Sequence, residues 1–469
     1  MQRLSRRWTR IVIGWLTEQP PPLGHGAGSG FCGGVVPQGA RPSARLEGVN
    51  VLIDELQWRG LIAHSTDLDA LSAHLDAGSV GSYVGFDPTA PSIHMGNLVQ
   101  LMVQRALQRA GHQPFLLVGG STGLIGDPKQ AGERVMNDEE TVRGWVERIR
   151  AQVGRLIDLD GQRGARLVNN LDWTRTISAL DLLRDVGKHF SVNRMLDREV
   201  VKSRLEAGIS YTEFSYVLLQ SLDFRELYRT YGVTMQTGGS DQWGNITAGI
   251  DLIRRSEGAR AHGVGTPLLT KADGTKFGKT ESGTVWLDPE MTSPYAFHQY
   301  FLNAEDAMVV AYLKVFSERP REEIEEIARQ SADKPHLRIA QRALADDITD
   351  LVHGRAERES AAAAAAALFG QSELHDLDAR TLAAVAKELD AAPVADAAQL
   401  PSVVEALVAT GVVASKSAAR RTIDEGGAYV NNVKVTDPEA VLSSDDLLQG
   451  RFVVVRRGRK TVGALALTD

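Results

Sequence analysis

The chain has 469 residues, 43% hydrophobic and 24% charged, with a formal charge of −7; this suits a multi-domain globular protein and excludes a collagen-like or wholly disordered one. Its single cysteine, Cys32, excludes a disulfide framework and a thiolate metal cluster, which fits a reducing compartment, and no apolar run is long enough to cross a membrane as a helix. The charge is uneven: residues 1–46 carry +5, residues 401–469 carry +1 and residues 47–400 therefore carry −13, so a nucleic acid would have to be held by local basic patches against a repelling body.

Residues 1–46 mix Arg with a Pro/Gly-rich run and show no sustained period; we expect them to be disordered. Their Arg-rich, acid-poor start and apolar IVIGWL patch fit either a targeting peptide or a start codon placed too far upstream; the second is expected, with the true start near Val49. From Asn50 the run VLIDELQWRGLI has a helical period with Leu52, Leu56 and Ile62 near one face, a strand is expected at Ser82–Phe86, a helix over about Ile93–Ala110, and a second strand at PFLLVGG. Strand, helix and strand with a Gly-rich exit make a parallel crossover unit. The expected fold is α/β: a doubly wound, Rossmann-like parallel-sheet domain over 47–270, interrupted by a charged helical insertion at about 133–220. The stretch TMQTGGSDQWGN is then another strand end opening onto a helix. A loop and connector follow at 271–293, an α-helical domain at 294–388, an Ala/Asp/Pro-rich linker at 389–400, and a small α+β module at 401–469. In that module Lys416, Arg420 and Arg421 fall on a short helix, before a Gly-Gly turn, a strand and the Asn431-Asn432 turn.

In YVGFDPTAPSIHMGN an apolar strand leads into Gly85, Asp87 and Pro88, then His94 and Gly96 at the mouth of a helix, the layout of a nucleotide crevice at strand ends. Asn97 follows His94 by three residues, on the same side of the first turn; taken alone, H-x-G-N also fits an ordinary strand-to-helix turn. KFGKT, residues 276–280, is too polar for a strand and too broken for a helix, and reads as a mobile cationic clamp or as a solvated surface loop. No G-x-x-x-x-G-K-[ST] occurs, which excludes a P-loop. GGSDQWGN offers Gly239 for close backbone approach, Asp241 as acceptor for a ribose hydroxyl and Gln242 to orient a carboxylate, or simply a turn. GGSTGLIGD misses the dinucleotide fingerprint, and its Asp127 could meet an ammonium group. In YTEFSYVLLQSLDF, Tyr216, Gln220 and Asp223 fall at i, i+4 and i+7, a polar stripe on an otherwise apolar helix that fits a ligand pocket or a buried polar network.

These five blocks, in this order, resemble the bacterial tyrosyl-tRNA synthetases, and the last module resembles the alpha-L RNA-binding domain that such enzymes share with a ribosomal protein. HMGN then stands for the first class I signature and KFGKT for the second, with Met95 and Asn97 as mild departures, while Val84 stands where some relatives have cysteine. The resemblance implies an enzyme that activates L-tyrosine with ATP to tyrosyl-adenylate and pyrophosphate, then charges tRNA(Tyr). Thr89, His94, Asn97, Lys276, Lys279 and Thr280 would act on the phosphates. Gly85, Asp87, Gly96, Gly239 and Asp241 would join His94, Asn97 and the two lysines in holding ATP; Tyr83 and Asp223 would bracket the tyrosine hydroxyl; Tyr216, Gln220 and Asp127 would hold its ammonium group, with Gln242 by its carboxylate. RNA would meet Lys416, Arg420 and Arg421. Mg²⁺ would accompany ATP without a protein cage, and a cytoplasmic homodimer with no membrane association is implied. Two rivals remain at this stage, a tryptophanyl-tRNA synthetase and a non-catalytic RNA-binding protein on the same fold.

Overall fold

The computed structural model describes residues 50–128, 137–280, 283–458 and 461–468; the disorder expected for 1–46, Cys32 and the start of the insertion at Glu133 lie outside the described residues.

A six-stranded sheet is the base of the site. Its strands are β1 (His64–Ser65), β2 (Gly81–Phe86), β3 (Gln113–Val118), β4 (Arg166–Asn169), β5 (Val233–Gly239) and β6 (His262–Thr266), in spatial order β1-β6-β5-β2-β3-β4. All neighbours are parallel except β1, which pairs antiparallel with β6. The chain runs outward from β2 to β3 and β4, then returns to lay β5 on the other side of β2. The switch point therefore lies between the carboxyl ends of β2 and β5, where a crevice must open because successive connections depart to opposite sides. β3 is apolar and buried nearly throughout, as a strand covered on both faces must be.

Four expectations change. The insertion is not wholly helical, because β4 inside it pairs with β3; four residues are too few to show a period, and only Leu167 and Val168 carry its apolar character. KFGKT is not all loop, since β7 (Lys279–Thr280) pairs with β8 (Gly283–Thr284); its short ladder tolerates polar side chains because both strands are largely solvated. Residues 389–400 are not a free linker: β9 (Ala392–Val394) adds in parallel to β13 (Thr461–Leu467), at the edge of a second, five-stranded sheet. Pro393 is tolerated there because an edge strand can leave one N–H position unused. In the first helix, Val51–Trp58, the buried face is Ile53 and Leu56, and Ile62 lies beyond its end.

The cores also divide differently from the expected domains. Phe297, Phe301, Leu313, Phe316, Leu344 and Ile348 from the helices of 294–353 join Val84 and Leu116 of the sheet and Leu98 of the helix Met95–Arg109 in one apolar core. A second core combines Ala361, Leu368 and Leu382 with Phe452, Val454 and Val462, so the last module is packed onto the helices before it. In the module the short helix Lys416–Asp424 is followed by β10 (Ala428–Val430) and β11 (Val433–Lys434). The Asn431-Asn432 turn between these strands has φ 47° and 67°, left-handed values that asparagine accepts more readily than most residues.

Candidate active site

The carboxyl end of β2 delivers Asp87, and the connection to the helix Met95–Arg109 delivers His94. His94 caps that helix: its Nδ1 accepts the Gly96 N–H at 3.1 Å, while the Asn97 side chain accepts the His94 N–H at 3.0 Å. H-x-G-N is thus a capping box, which places the residues at i and i+3 for a physical reason of its own. Because Nδ1 accepts, the neutral ring carries its proton on Nε2, a donor left for a ligand. Partial loss of water around the ring pushes its pKa down, and Lys279 and Lys276 push the same way, so the ring is kept neutral.

Those lysines come from the other end of the sequence. Gly278, between them, has φ 83°, and a Cβ built on it would lie 2.8 Å from Met95 Cβ; only glycine lets the loop rest on the HMGN turn. The next stretch follows the same turn, with the Leu287 N–H donating to the Ile93 carbonyl at 3.1 Å and the Trp286 ring 6.3 Å from that of His94. Lys276 and Lys279 are exposed and, among the described residues, neither is in an ion pair. The Thr280 hydroxyl donates to the Gly283 carbonyl at 3.1 Å and holds the β7–β8 hairpin. Thr89 and Gly85 are exposed at the same mouth.

Behind this mouth lies a polar network on apolar walls. The Tyr216 hydroxyl donates to Asp87 Oδ2 at 2.6 Å and the Thr122 hydroxyl to Asp87 Oδ1 at 2.7 Å. Asn170 Nδ2 bonds both Thr122 Oγ1 and Asp223 Oδ2, each at 3.0 Å, and the Trp173 indole N–H donates to Asp223 Oδ1 at 2.8 Å. Asp223 is 2% exposed; burial pushes its carboxyl up to about 7 against the pull of these two donors, since an ion in apolar surroundings is costly without full compensation. Tyr83 is 1% exposed and its hydroxyl has no hydrogen-bond partner; burial first, then Asp223, pushes its pKa well up. The Gln220 amide oxygen is likewise buried and unpaired. Each would gain a partner from a polar ligand bound beside it. On the β5 side, Gly239 closes onto Asp241, exposed at the mouth. Asp127 accepts from Gln242 at 3.0 Å and from Asn245 at 3.4 Å, and Arg198 donates to Asn245. Desolvation pushes the Arg198 pKa down.

The structure thus gathers every candidate from the sheet domain and the KFGKT loop around one crevice. Lys416, Arg420 and Arg421 stand apart on an exposed helix, with ion pairs to Glu405 at 2.8 Å, Glu439 at 3.7 Å and Glu425 at 3.9 Å. Sequence reasoning missed Thr122, Asn170, Trp173, Arg198 and Asn245. The signal for Asn170 and Trp173 was present in RLVNNLDW, an apolar pair ending in polar residues like the other strand ends, but it fell in a stretch assigned to helices.

Residues 76–370 match the profile of the tRNA synthetases class I (W and Y), and residues 383–463 that of the tyrosine–tRNA ligase SYY-like C-terminal domain. The chain belongs to the class I tRNA synthetase family of this W and Y type. It is 64% identical to a tyrosine–tRNA ligase of Cutibacterium acnes, over 88% of this chain and 99% of that one, and 58% identical to one of Kineococcus radiotolerans, over 89% and 99%. Among solved structures it resembles a C-terminally truncated mitochondrial tyrosyl-tRNA synthetase of Coccidioides posadasii, with TM-score 0.60 and 33% identity over 66% of this chain and 91% of that chain.

Proposed function

We propose that this protein is a tyrosine–tRNA ligase, an enzyme that joins L-tyrosine to tRNA(Tyr) at the expense of ATP. The observation that carries the reading is the pairing, behind one crevice, of an unpartnered Tyr83 phenol with the buried Asp223 carboxylate. Asp223 accepts the proton of the substrate phenol and the Tyr83 hydroxyl donates to its oxygen. Tyr216, whose own proton is committed to Asp87, offers its oxygen as an acceptor for the substrate ammonium, together with Gln220 and Asp127, and Gln242 lies by the carboxylate.

A carboxylate oxygen of tyrosine attacks the α-phosphorus of ATP, and the bond to the bridging oxygen of pyrophosphate breaks. No nucleophilic side chain is required, so the protein contributes position and positive charge where the phosphates gain negative charge. His94 donates from Nε2, Thr89, Asn97 and Thr280 add neutral contacts, and Lys276 and Lys279 close on the leaving group. Gly85, Gly96 and Gly239 let the nucleotide approach the backbone, and Asp241 accepts from its ribose. Mg²⁺ enters as part of the Mg–ATP substrate. In the second step a 3′-terminal ribose hydroxyl of the tRNA attacks the carbonyl carbon of the adenylate, and AMP leaves. Lys416, Arg420 and Arg421 supply phosphate contacts for the tRNA, whose capture relies on such patches because the body is acidic.

The protein works as a homodimer in the cytoplasm, where ATP and tRNA are found. Supporting the dimer, Leu180, Leu183, Val192, Leu205 and Tyr211 of the insertion are 77%, 55%, 60%, 48% and 68% exposed, apolar side chains that a second copy would cover. No helix among the described residues is long and apolar enough to cross a membrane. The test is ATP–pyrophosphate exchange with tyrosine and tryptophan side by side: exchange with tyrosine alone is expected, while exchange with tryptophan, or with neither, overturns the reading.

A further inference from the structure

The KFGKT loop is held from behind by the helical layer. Residues 269–277 fold back on themselves, with the Phe277 N–H donating to the Leu269 carbonyl at 2.9 Å and the Lys271 N–H to the Thr275 carbonyl at 2.8 Å. Three groups from the helices and their connection grip this hairpin. Tyr312 donates its hydroxyl to the Thr270 carbonyl at 2.7 Å, Glu305 accepts the Ala272 N–H at 2.9 Å, and the Tyr300 hydroxyl oxygen accepts the Gly278 N–H at 2.8 Å. Phe277 plugs the space between, its ring 4.0 Å from that of Tyr312, 5.3 Å from Tyr300 and 5.9 Å from Phe301. On its opposite side the same Gly278 presses on Met95. One backbone amide, midway between the two lysines, is thus clamped between the helical layer and the HMGN turn.

We propose that Tyr300 is a positioning residue for tyrosine activation: by accepting the Gly278 N–H it seats the loop so that Lys276 and Lys279 stand over the crevice, with Phe277 as the plug that fixes the seat. The inference rests on the reading of these lysines as the clamp on the leaving pyrophosphate. Tyr300 touches no substrate and acts only through the loop. Its effect belongs to the transition state, because small displacements of a positioned cation cost rate rather than tyrosine binding. Burial pushes the Tyr300 hydroxyl up to about 12, so it remains neutral, and the effect does not vary across the neutral pH range.

The test uses the full chain with Tyr300→Phe, which keeps the ring and removes the acceptor. In ATP–pyrophosphate exchange kcat is expected to fall about three- to tenfold, the worth of one hydrogen bond, with KM for tyrosine unchanged and only a small fall in the thermal midpoint. Phe277→Leu, at a half-buried position, should give the same split between kcat and KM and serves if the first variant does not fold. Wild-type kcat in either folded variant, or a tyrosine KM that rises in step with the loss of kcat, overturns the proposal. Absence of tyrosine-dependent exchange in the unaltered protein overturns the underlying reading instead, so the two failures are told apart.

Discussion

In the proposed reading a single buried carboxylate, Asp223, defines the substrate. Two donors, Asn170 and Trp173, hold it in place, yet burial still raises its pKa to about 7, so the ionised form gains from any further donor. In the proposed pose a phenol hydroxyl supplies a further donor to Asp223 and a partner to Tyr83; a phenylalanine ring would leave the Tyr83 hydroxyl unpaired and Asp223 with Asn170 and Trp173 alone, a cost that a merely smaller pocket could not impose. Asp223→Ala is expected to lower kcat/KM for tyrosine activation on the order of 100-fold or more, and unchanged kinetics would refute the assignment. The pH dependence follows from the sign of the shift. Since the ionised form accepts the phenol and the folded pKa lies above the usual 3.8, kcat/KM for tyrosine should fall as pH drops through about 7. For stability the same shift acts in the opposite sense: its contribution is fully present below the usual carboxylate pKa and is lost as pH rises through the folded value. A kcat/KM profile flat across neutrality would contradict the role given to Asp223.

Among the elements, the KFGKT loop has the least structure of its own and the most from its surroundings. Its lysines could be read from sequence as a clamp, but Phe277 and Gly278 between them carry the information about where that clamp sits, through an aromatic seat and a left-handed backbone that rests on Met95. Gly278→Ala adds a Cβ in a strained φ, at about 1 kcal/mol, and pushes against Met95 Cβ; it is expected to lower the exchange rate about tenfold or more while tyrosine binding, measured by equilibrium titration, stays the same. The helix Tyr211–Tyr231 illustrates the opposite case. Its Ser210 cap, its polar stripe and its Gly232 stop, at φ 70°, are all local, so its site residues were legible at their spacing. β4 and β9 were not: with four and three residues, they are strands because neighbours pair with them, and nothing within the segments themselves requires it.

The whole molecule has two consequences for its working parts. The proposed dimer would cover the exposed apolar side chains of the insertion; with Leu183 55% exposed, Leu183→Glu is then expected to shift the protein from dimer to monomer in sedimentation velocity, and an unchanged dimer would place the interface elsewhere. The last module shares a core with residues 361–386, so deleting 401–469 removes more than an RNA contact. The sheet and site draw on other cores, so the truncated protein is expected to keep its exchange rate while an early unfolding step appears in calorimetry. Its tRNA charging should fall, with a loss that deepens as salt weakens the remaining phosphate contacts; equal loss of exchange and charging would show that the module supports the active site directly. By itself the sequence determined which polar side chains stand at which strand ends and helical spacings, the candidates proposed to meet a phenol, an ammonium group and a triphosphate, because those patterns are set within one element. Only the tertiary structure decided where the KFGKT loop rests, which strands complete both sheets and what the last module is packed against. Those outcomes depend on contacts between residues far apart in the chain, such as Gly278 on Met95, whose energies exist only once the core has brought them together.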